Sequence, residues 1–257
     1  VDASFDPDAG SFVRALALQA DDEVVIGGNF GSIGVYTRHS IARVNADGSA
    51  DSTLVADTSG TFNFVMALAV QADGKLMVGG GFTAIGGQAR NRIARLNADG
   101  SVDMAFDPDA NFDVDVLAVQ PDGKLVAGGI FLTMGGQPHH RIARLNADGS
   151  VDTTFNPDVD SYVEALALQP NGKVVIGGIF GTVNGQFHDH IARLNADGSV
   201  DATFNPDANN GVAALAVQPD GKLVVGGAFT LMNGAAHSYI ARLNADGNLD
   251  NTFNVVA

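Results

Sequence analysis

The chain has 257 residues, with 14 Lys and Arg against 29 Asp and Glu, a formal net charge of −15, and no Cys. That charge excludes a general affinity for nucleic acid or an anionic membrane surface, because phosphate binding needs a basic footprint; the missing thiols exclude disulfides and thiolate chemistry. The composition is globular, no apolar run reaches membrane-spanning length, and Val1 opens no signal peptide, which leaves open the mature part of a secreted protein.

Self-similarity dominates everything else. The segment I-A-R-[LV]-N-A-D-G begins at Ile41, Ile93, Ile142, Ile191 and Ile240, and Gly-Gly-x-Phe segments end at Phe30, Phe82, Phe131, Phe180 and Phe229. Five repeats follow, with cores near 13–54, 65–106, 114–155, 163–204 and 212–253. The second is three residues longer than the others, the insertion lying between Leu54 and Leu68.

The elements of one repeat, in chain order, are read most easily in the fifth. Val212–Gln218 predicts a strand, Pro219-Asp220-Gly221 a three-residue hairpin turn, and Lys222–Gly227 a second strand. A variable loop over 230–239 leads to a third strand at Ile240–Asn244. The turn Ala245-Asp246-Gly247 and a fourth run at Asn248–Phe253 complete the unit. Both tight turns fit a type I turn closed by a left-handed Gly; in the first repeat that Gly is Asp22, which should carry local strain. Nothing shows a helical period.

Antiparallel units repeated five times predict an all-β, five-bladed β-propeller of four-stranded antiparallel blades, one domain over 1–257. The outer Asp-x-x-Phe run occurs six times, at Asp2, Asp51 (ending in Leu54), Asp103, Asp152, Asp201 and Asp250. The surplus copy predicts a ring closed by overlap of the terminal segments, with Val1–Phe5 beside the last blade.

Several repeated features read as framework. Hairpin register sets Arg43 opposite Asp51, Arg95 opposite Asp103, Arg144 opposite Asp152, Arg193 opposite Asp201 and Arg242 opposite Asp250, as structural cross-strand pairs. The Gly-Gly pairs precede no helix, so close backbone approach explains them better than phosphate binding. The run Asn45, Asp47, Asp51 lacks the ligand alternation of a calcium loop, and no metal or cofactor is expected.

The pattern A-L-A-[LV]-Q-x-D-G-K-[LV]-x-x-G-G-x-F…I-A-R-L-N-A-D-G-S-V-D-x-x-F resembles the delta-60 repeat family of bacterial β-propellers. The resemblance spans essentially the whole chain. It implies a propeller without an assigned activity, at a cell surface or secreted, and it supplies no catalytic residues.

Comparing the five copies with one another separates dictated positions from free ones. The free ones lie in the loop between second and third strands (31–40, 83–92, 132–141, 181–190, 230–239) and in the crossing between repeats (6–14, 55–66, 107–115, 156–164, 205–213). Strand alternation puts both at one edge of every blade. These segments hold the candidate ligand-binding residues Phe12, Tyr36, Arg38, His39, Arg90, Arg92, Phe112, His139, His140, Arg141, Tyr162, Phe187, His188, His190, His237 and Tyr239, along with Phe62 and Phe64. Rings mixed with hydrogen-bonding side chains suit sugars or polypeptide loops. The repeated Asp8, Asp57, Asp109, Asp158 and Asp207 read as turn residues bonding their own backbone rather than as an acidic ring.

The expectation is a monomeric, non-catalytic binding module for glycan or protein. The alternatives are a passive spacer in a larger surface protein, or a glycoside hydrolase drawing on the non-repeated Asp113, Asp115, Asp160, Glu164 and Asp189.

Overall fold

A computed structural model describes residues 7–253. Every regular element among the described residues is a strand, and the five repeats are those of a β-propeller. The segment expected to close a ring, Val1–Phe5, lies outside the described residues.

Contacts divide the chain into two compact units. One is Val1–Leu125 with Phe131–Pro138 and Leu145–Val151; the other is Val126–Ile130, His139–Arg144 and Asp152–Ala257. The first holds repeats one and two, the second holds repeats four and five, and the third repeat contributes to both.

In repeat one the strands Phe12–Leu18, Val24–Asn29 and Ile41–Val44 form an antiparallel sheet in chain order. Repeats two, four and five repeat this arrangement, for example Val163–Leu168, Val174–Gly178 and Ile191–Leu194. The fourth run adds only a single bridge, such as Val44↔Ala50 or Leu194↔Val200. It stops there because the Asp that follows turns the chain: Asp51 Oδ1 accepts the Thr53 N–H at 2.7 Å, and Asp201 Oδ1 accepts the Thr203 N–H at 3.1 Å. That turn swings the next apolar residue inward, and Leu54, Phe106, Phe155 and Phe204 are all buried.

The expected pairs form in every repeat. Arg43 meets Asp51 at 2.6 Å, Arg95 meets Asp103 at 2.9 Å, Arg144 meets Asp152 at 2.9 Å, Arg193 meets Asp201 at 2.7 Å and Arg242 meets Asp250 at 2.9 Å. Two partners escaped the sequence reading. The Lys that opens the second strand joins the same carboxylate, with Lys75 at 2.9 Å from Asp103, Lys173 at 2.6 Å from Asp201 and Lys222 at 2.7 Å from Asp250. The Phe that follows lies under the guanidinium, 4.5 Å away for Arg95 over Phe106 and 4.4 Å for Arg193 over Phe204. Arg95 and Arg193 also donate to the Ala147 and Ala245 carbonyls in the tight turn of the following repeat, each at 2.5 Å.

The first repeat departs at three positions, each with a visible consequence. Asp22 replaces the turn Gly and takes the left-handed φ of 65° that was expected to strain it. Glu23 replaces the Lys and meets Arg43 Nε at 3.0 Å. Leu54 replaces the Phe, and among the described residues no ring lies under Arg43.

The second Gly of the Gly-Gly pair is required by contact in repeats one, two, four and five. A Cβ on Gly28, Gly80, Gly178 or Gly227 would overlap the carbonyl oxygen of Phe12, Phe64, Tyr162 or Gly211. The first Gly faces the following repeat instead: a Cβ on Gly27 would press on Val65 and Leu68, and one on Gly177 on Val212. The apolar core of each unit runs through such contacts. In the first unit Ala17, Val25 and Ile41 pack with Leu68 and Val70; in the second Ala167, Val175 and Ile191 pack with Leu215 and Val217.

Candidate functional site

Each segment expected as a free loop between second and third strands folds as a two-residue-per-strand hairpin, from Ser32–Ile33 with Tyr36–Thr37 through to Leu231–Met232 with Ala235–Ala236. The crossing pairs with that hairpin in every repeat, as Ala9↔Ile33, Thr58↔Ile85, Ala110↔Met134, Val159↔Val183 and Ala208↔Met232. Hairpin and crossing therefore share one edge. The two tight turns of a repeat lie together elsewhere, Gly74 near Ala98 and Gly221 near Ala245.

Much of the variable sequence is thus framework. The third residue before the strand Ile is Arg38, Arg90, His139, His188 or His237. Arg38 and Arg90 are buried and donate to carbonyls of the outer run and hairpin: Arg38 to Thr37 and Ser52 at 2.9 and 3.0 Å, Arg90 to Ala89 and Phe106 at 2.7 and 3.1 Å. His139 and His188 are buried, and burial pushes both imidazoles below their ordinary pKa. His237 is half-buried. The expectation that these side chains face a ligand is corrected for the four buried residues, because the hairpin folds back over them.

The next position points outward. His39 and His140 are exposed; the His39 N–H donates to Asp57 at 2.7 Å and His140 Nδ1 lies 2.7 Å from Asp158. Asn91 Nδ2 donates to Asp109 at 2.9 Å. At Asp57, Asp109 and Asp158 the repeated Asp thus bonds the preceding repeat with its side chain, where its own backbone was expected. Its carbonyl takes the hairpin N–H, Gly34 on Asp8 at 2.9 Å and Asn233 on Asp207 at 2.7 Å.

The last position before the strand is the most constrained. Ser40, Arg92, Arg141, His190 and Tyr239 all have φ between 66° and 70° although none is Gly. Two backbone bonds hold each of Ser40, Arg92, His190 and Tyr239: the Ser40 N–H donates to the Phe30 carbonyl and its own carbonyl takes the Gly28 N–H, both at 2.9 Å. This clasp joins the left-handed residue to the second Gly and the Phe of the Gly-Gly-x-Phe run, and five different side chains are displayed from an equivalent backbone position. Arg92 donates to the Gly81 carbonyl and approaches Asp113 at 3.7 Å; burial lifts the Asp113 carboxyl and the Arg92 charge opposes that. Arg141 donates to the Ile130 carbonyl and lies 5.6 Å over the Tyr162 ring. His190 is half-buried and Tyr239 exposed.

Of the remaining candidates, Tyr36 lies on the exposed hairpin 5.6 Å from Arg38. Phe187 projects from its hairpin, while Phe12, Phe112 and Tyr162 are exposed on their crossings. Among the acids, Asp160 is taken up by the Gly181 and Thr182 N–H groups and the Thr182 hydroxyl. Burial raises its pKa, but those bonds outweigh burial and leave it lowered. No group of three or more His or acidic residues placed for a metal occurs among the described residues.

One concavity on this edge is of ligand size, about 560 Å³, and it belongs to the first unit. Its walls are Asn29, Phe30, Gly31, His39 and Ser40 of repeat one with Thr61, Phe62, Asn63 and Phe64 of the second crossing. The walls are braced. Ser40 Oγ donates to the Asn63 carbonyl at 3.1 Å, and Thr58 Oγ1 bonds the His39 carbonyl at 3.2 Å and the Asn63 side chain. Gly81 leaves room for the Phe64 ring, whose Cζ would lie 2.5 Å from a Cβ there. Of the residues singled out from sequence, His39, Phe62 and Phe64 line this cavity. The polar walls Asn29, Thr61 and Asn63 were not singled out, and the longer crossing of the second repeat was the signal for the last two.

Comparison with known proteins adds the fold and the family. No curated protein is similar enough to count as a relative. Among solved structures, a gluconolactonase, XC5397 of Xanthomonas campestris, superposes with a TM-score of 0.54 at 19% identity, over 94% of this chain and 75% of that one. The WD40 repeats of RRP9 match at 0.57 and 13%, over 93% and 65%. An extracellular domain of the system BT4673 of B. thetaiotaomicron matches at 0.55 and 14%, over 91% and 27%. At such identities the likeness is one of fold. A family model, "domain of unknown function (DUF5122) beta-propeller", matches residues 19–54, 71–106, 120–155, 169–204 and 218–253. The chain belongs to the DUF5122 β-propeller family.

Proposed function

We propose that the chain is a non-catalytic binding module that takes a glycan in the cavity between the first hairpin and the second crossing. The observation that carries this reading is the cavity itself. An exposed Phe62 ring offers a flat apolar face for the C–H face of a sugar, and Asn29, Asn63, His39 and Thr61 surround it with hydrogen-bonding groups. The braced walls favour affinity, since little ordering is left to the moment of binding.

Two of the acids a hydrolase would draw on are already engaged, which favours a binding role: Asp160 takes the Gly181 N–H and Asp113 faces Arg92. A secreted or cell-surface setting and the finer delta-60 assignment belong to the same proposal, on the strength of the sequence pattern.

A glycan array followed by titration calorimetry tests it. Wild type should bind a defined oligosaccharide class, and Phe62→Ala should weaken that binding by about tenfold or more with the melting temperature unchanged. Equal binding by Phe62→Ala, or no oligosaccharide bound, overturns the reading.

A further inference from the structure

The residue after the outer-run Asp is exposed in every repeat, as Ser52, Met104, Thr153, Ala202 and Asn251. Exposure there belongs to the repeat rather than to any one copy, and only repeat two places a thioether at this position. Met104 is 61% exposed, whereas Met77, Met134 and Met232 are 0% exposed and Met66 is half-buried. With Val55 and Val102, Met104 walls a groove of about 280 Å³ in the first unit.

The Met104 sulfur is held on one side. Arg90, only 5% exposed, donates from Nη2 to the Met104 carbonyl at 3.3 Å and to Met104 Sδ at 3.7 Å. Its Nε and Nη1 are fixed by the Phe106 and Ala89 carbonyls at 3.1 and 2.7 Å. Those bonds lock the guanidinium plane, so the N–H always meets the sulfur from the same direction. A thioether sulfur carries two lone pairs, one on each face of its C–S–C plane. Arg90 engages one and leaves the other to an oxidant arriving from solvent.

We infer that Met104 is an oxidation site for hydroperoxides and that Arg90 is a positioning residue that selects which sulfoxide epimer forms. The open lone pair of Sδ attacks the near oxygen of hydrogen peroxide. An S–O bond forms as the O–O bond breaks, and the departing hydroxide takes the proton of the transferred oxygen and leaves as water. Sulfur loses two electrons and the peroxide gains them, giving the sulfoxide. Because the other face is occupied by Arg90, oxygen is delivered to one side and one epimer dominates. The product turns an apolar wall of the groove polar, in a form that sulfoxide reductases can reverse.

Peroxide treatment of the full chain, read by peptide mass spectrometry, tests this. The digests are then treated separately with the two epimer-specific methionine sulfoxide reductases. Met104 should gain oxygen at least about tenfold faster than Met77, Met134 and Met232, whose oxidation waits on local opening. One reductase should restore most of the oxidised Met104 and the other little of it. In urea the five methionines should react alike, with the two reductases sharing Met104 equally. Arg90→His places there the residue that repeats three to five carry, as His139, His188 and His237. It should leave Met104 the fastest to oxidise but bring its epimers close to one to one. Oxidation of Met104 no faster than that of the buried methionines overturns the inference, and so do equal epimers in the folded wild type. An epimer excess unchanged in Arg90→His at the wild-type melting temperature overturns it as well. The wild-type epimer ratio needs no variant, so it decides the matter even where Arg90→His does not fold.

Discussion

The tight-turn side and the hairpin side of each repeat are built from the same strands yet carry different loads. On the tight-turn side the residues barely change between copies. A carboxylate, a guanidinium, an ammonium and a ring lock the outer hairpin to the second strand, as in Asp201, Arg193, Lys173 and Phe204. On the hairpin side the backbone is equally constrained, by the clasp around the left-handed residue, but the side chains it displays run from Ser40 to Tyr239. Rigidity is thus common to both sides. What differs is whether the side chains are spent on the fold or left free at the surface.

Substitutions on the two sides should separate accordingly, and the largest effect belongs to the tight-turn side. Phe155→Ala removes a fully buried ring from under Arg144 and should cost about 3–5 kcal/mol in urea unfolding. Arg193→Met leaves Asp201 with Lys173 but removes its buried guanidinium partner and the tie to Ala245, for a loss of about 3 kcal/mol. Losses under about 1 kcal/mol in both variants would break the comparison.

Acid should act on the same side. The Lys75 hydrogen bond, the Ala105 N–H and Arg95 hold the Asp103 carboxyl at about 2, below its unfolded value, against the opposing effect of burial; Asp51, Asp201 and Asp250 are lowered as well. A carboxyl depressed in the folded state stabilises above its unfolded pKa and loses that contribution as pH falls through the folded one. The urea midpoint should therefore fall as pH drops from about 4 to about 2. Lys75→Met should flatten that fall; an unchanged slope would mean that the Lys does not contribute to the pair.

Smaller effects sharpen the contrast. Asp22→Gly relieves a left-handed Asp in the one repeat whose turn lacks Gly, and should add about 1 kcal/mol. On the hairpin side Phe187→Ala and Phe62→Ala should alter stability by no more than about 0.5 kcal/mol, since both rings stand in solvent.

The two sides were also unequally legible in the sequence. The eight-residue offset from Arg193 to Asp201 is fixed by the turn between them, so identity and spacing together gave the pair. The Lys173 contact was hidden because it lies 28 residues from Asp201 and depends on how the second strand sits beside the third. On the hairpin side, variation among copies does not separate exposed from buried: His39 and Phe187 are exposed, whereas Arg38 and His139 are buried side chains of different chemistry at one packing position. Variation among repeats reports tolerance, and a buried site that can be filled by Arg or His tolerates both. The cavity depends on Phe62 and Phe64, which an insertion brings against Ser40 and His39, and periodicity cannot place an insertion that occurs once.

The division of labour between the two sides is tested most directly by measuring oligosaccharide binding for wild type, Phe62→Ala and Lys75→Met together on one array. The account predicts that Phe62→Ala loses the bound glycans at full stability while Lys75→Met keeps them at reduced stability. Loss of binding in Lys75→Met with retention in Phe62→Ala would contradict it.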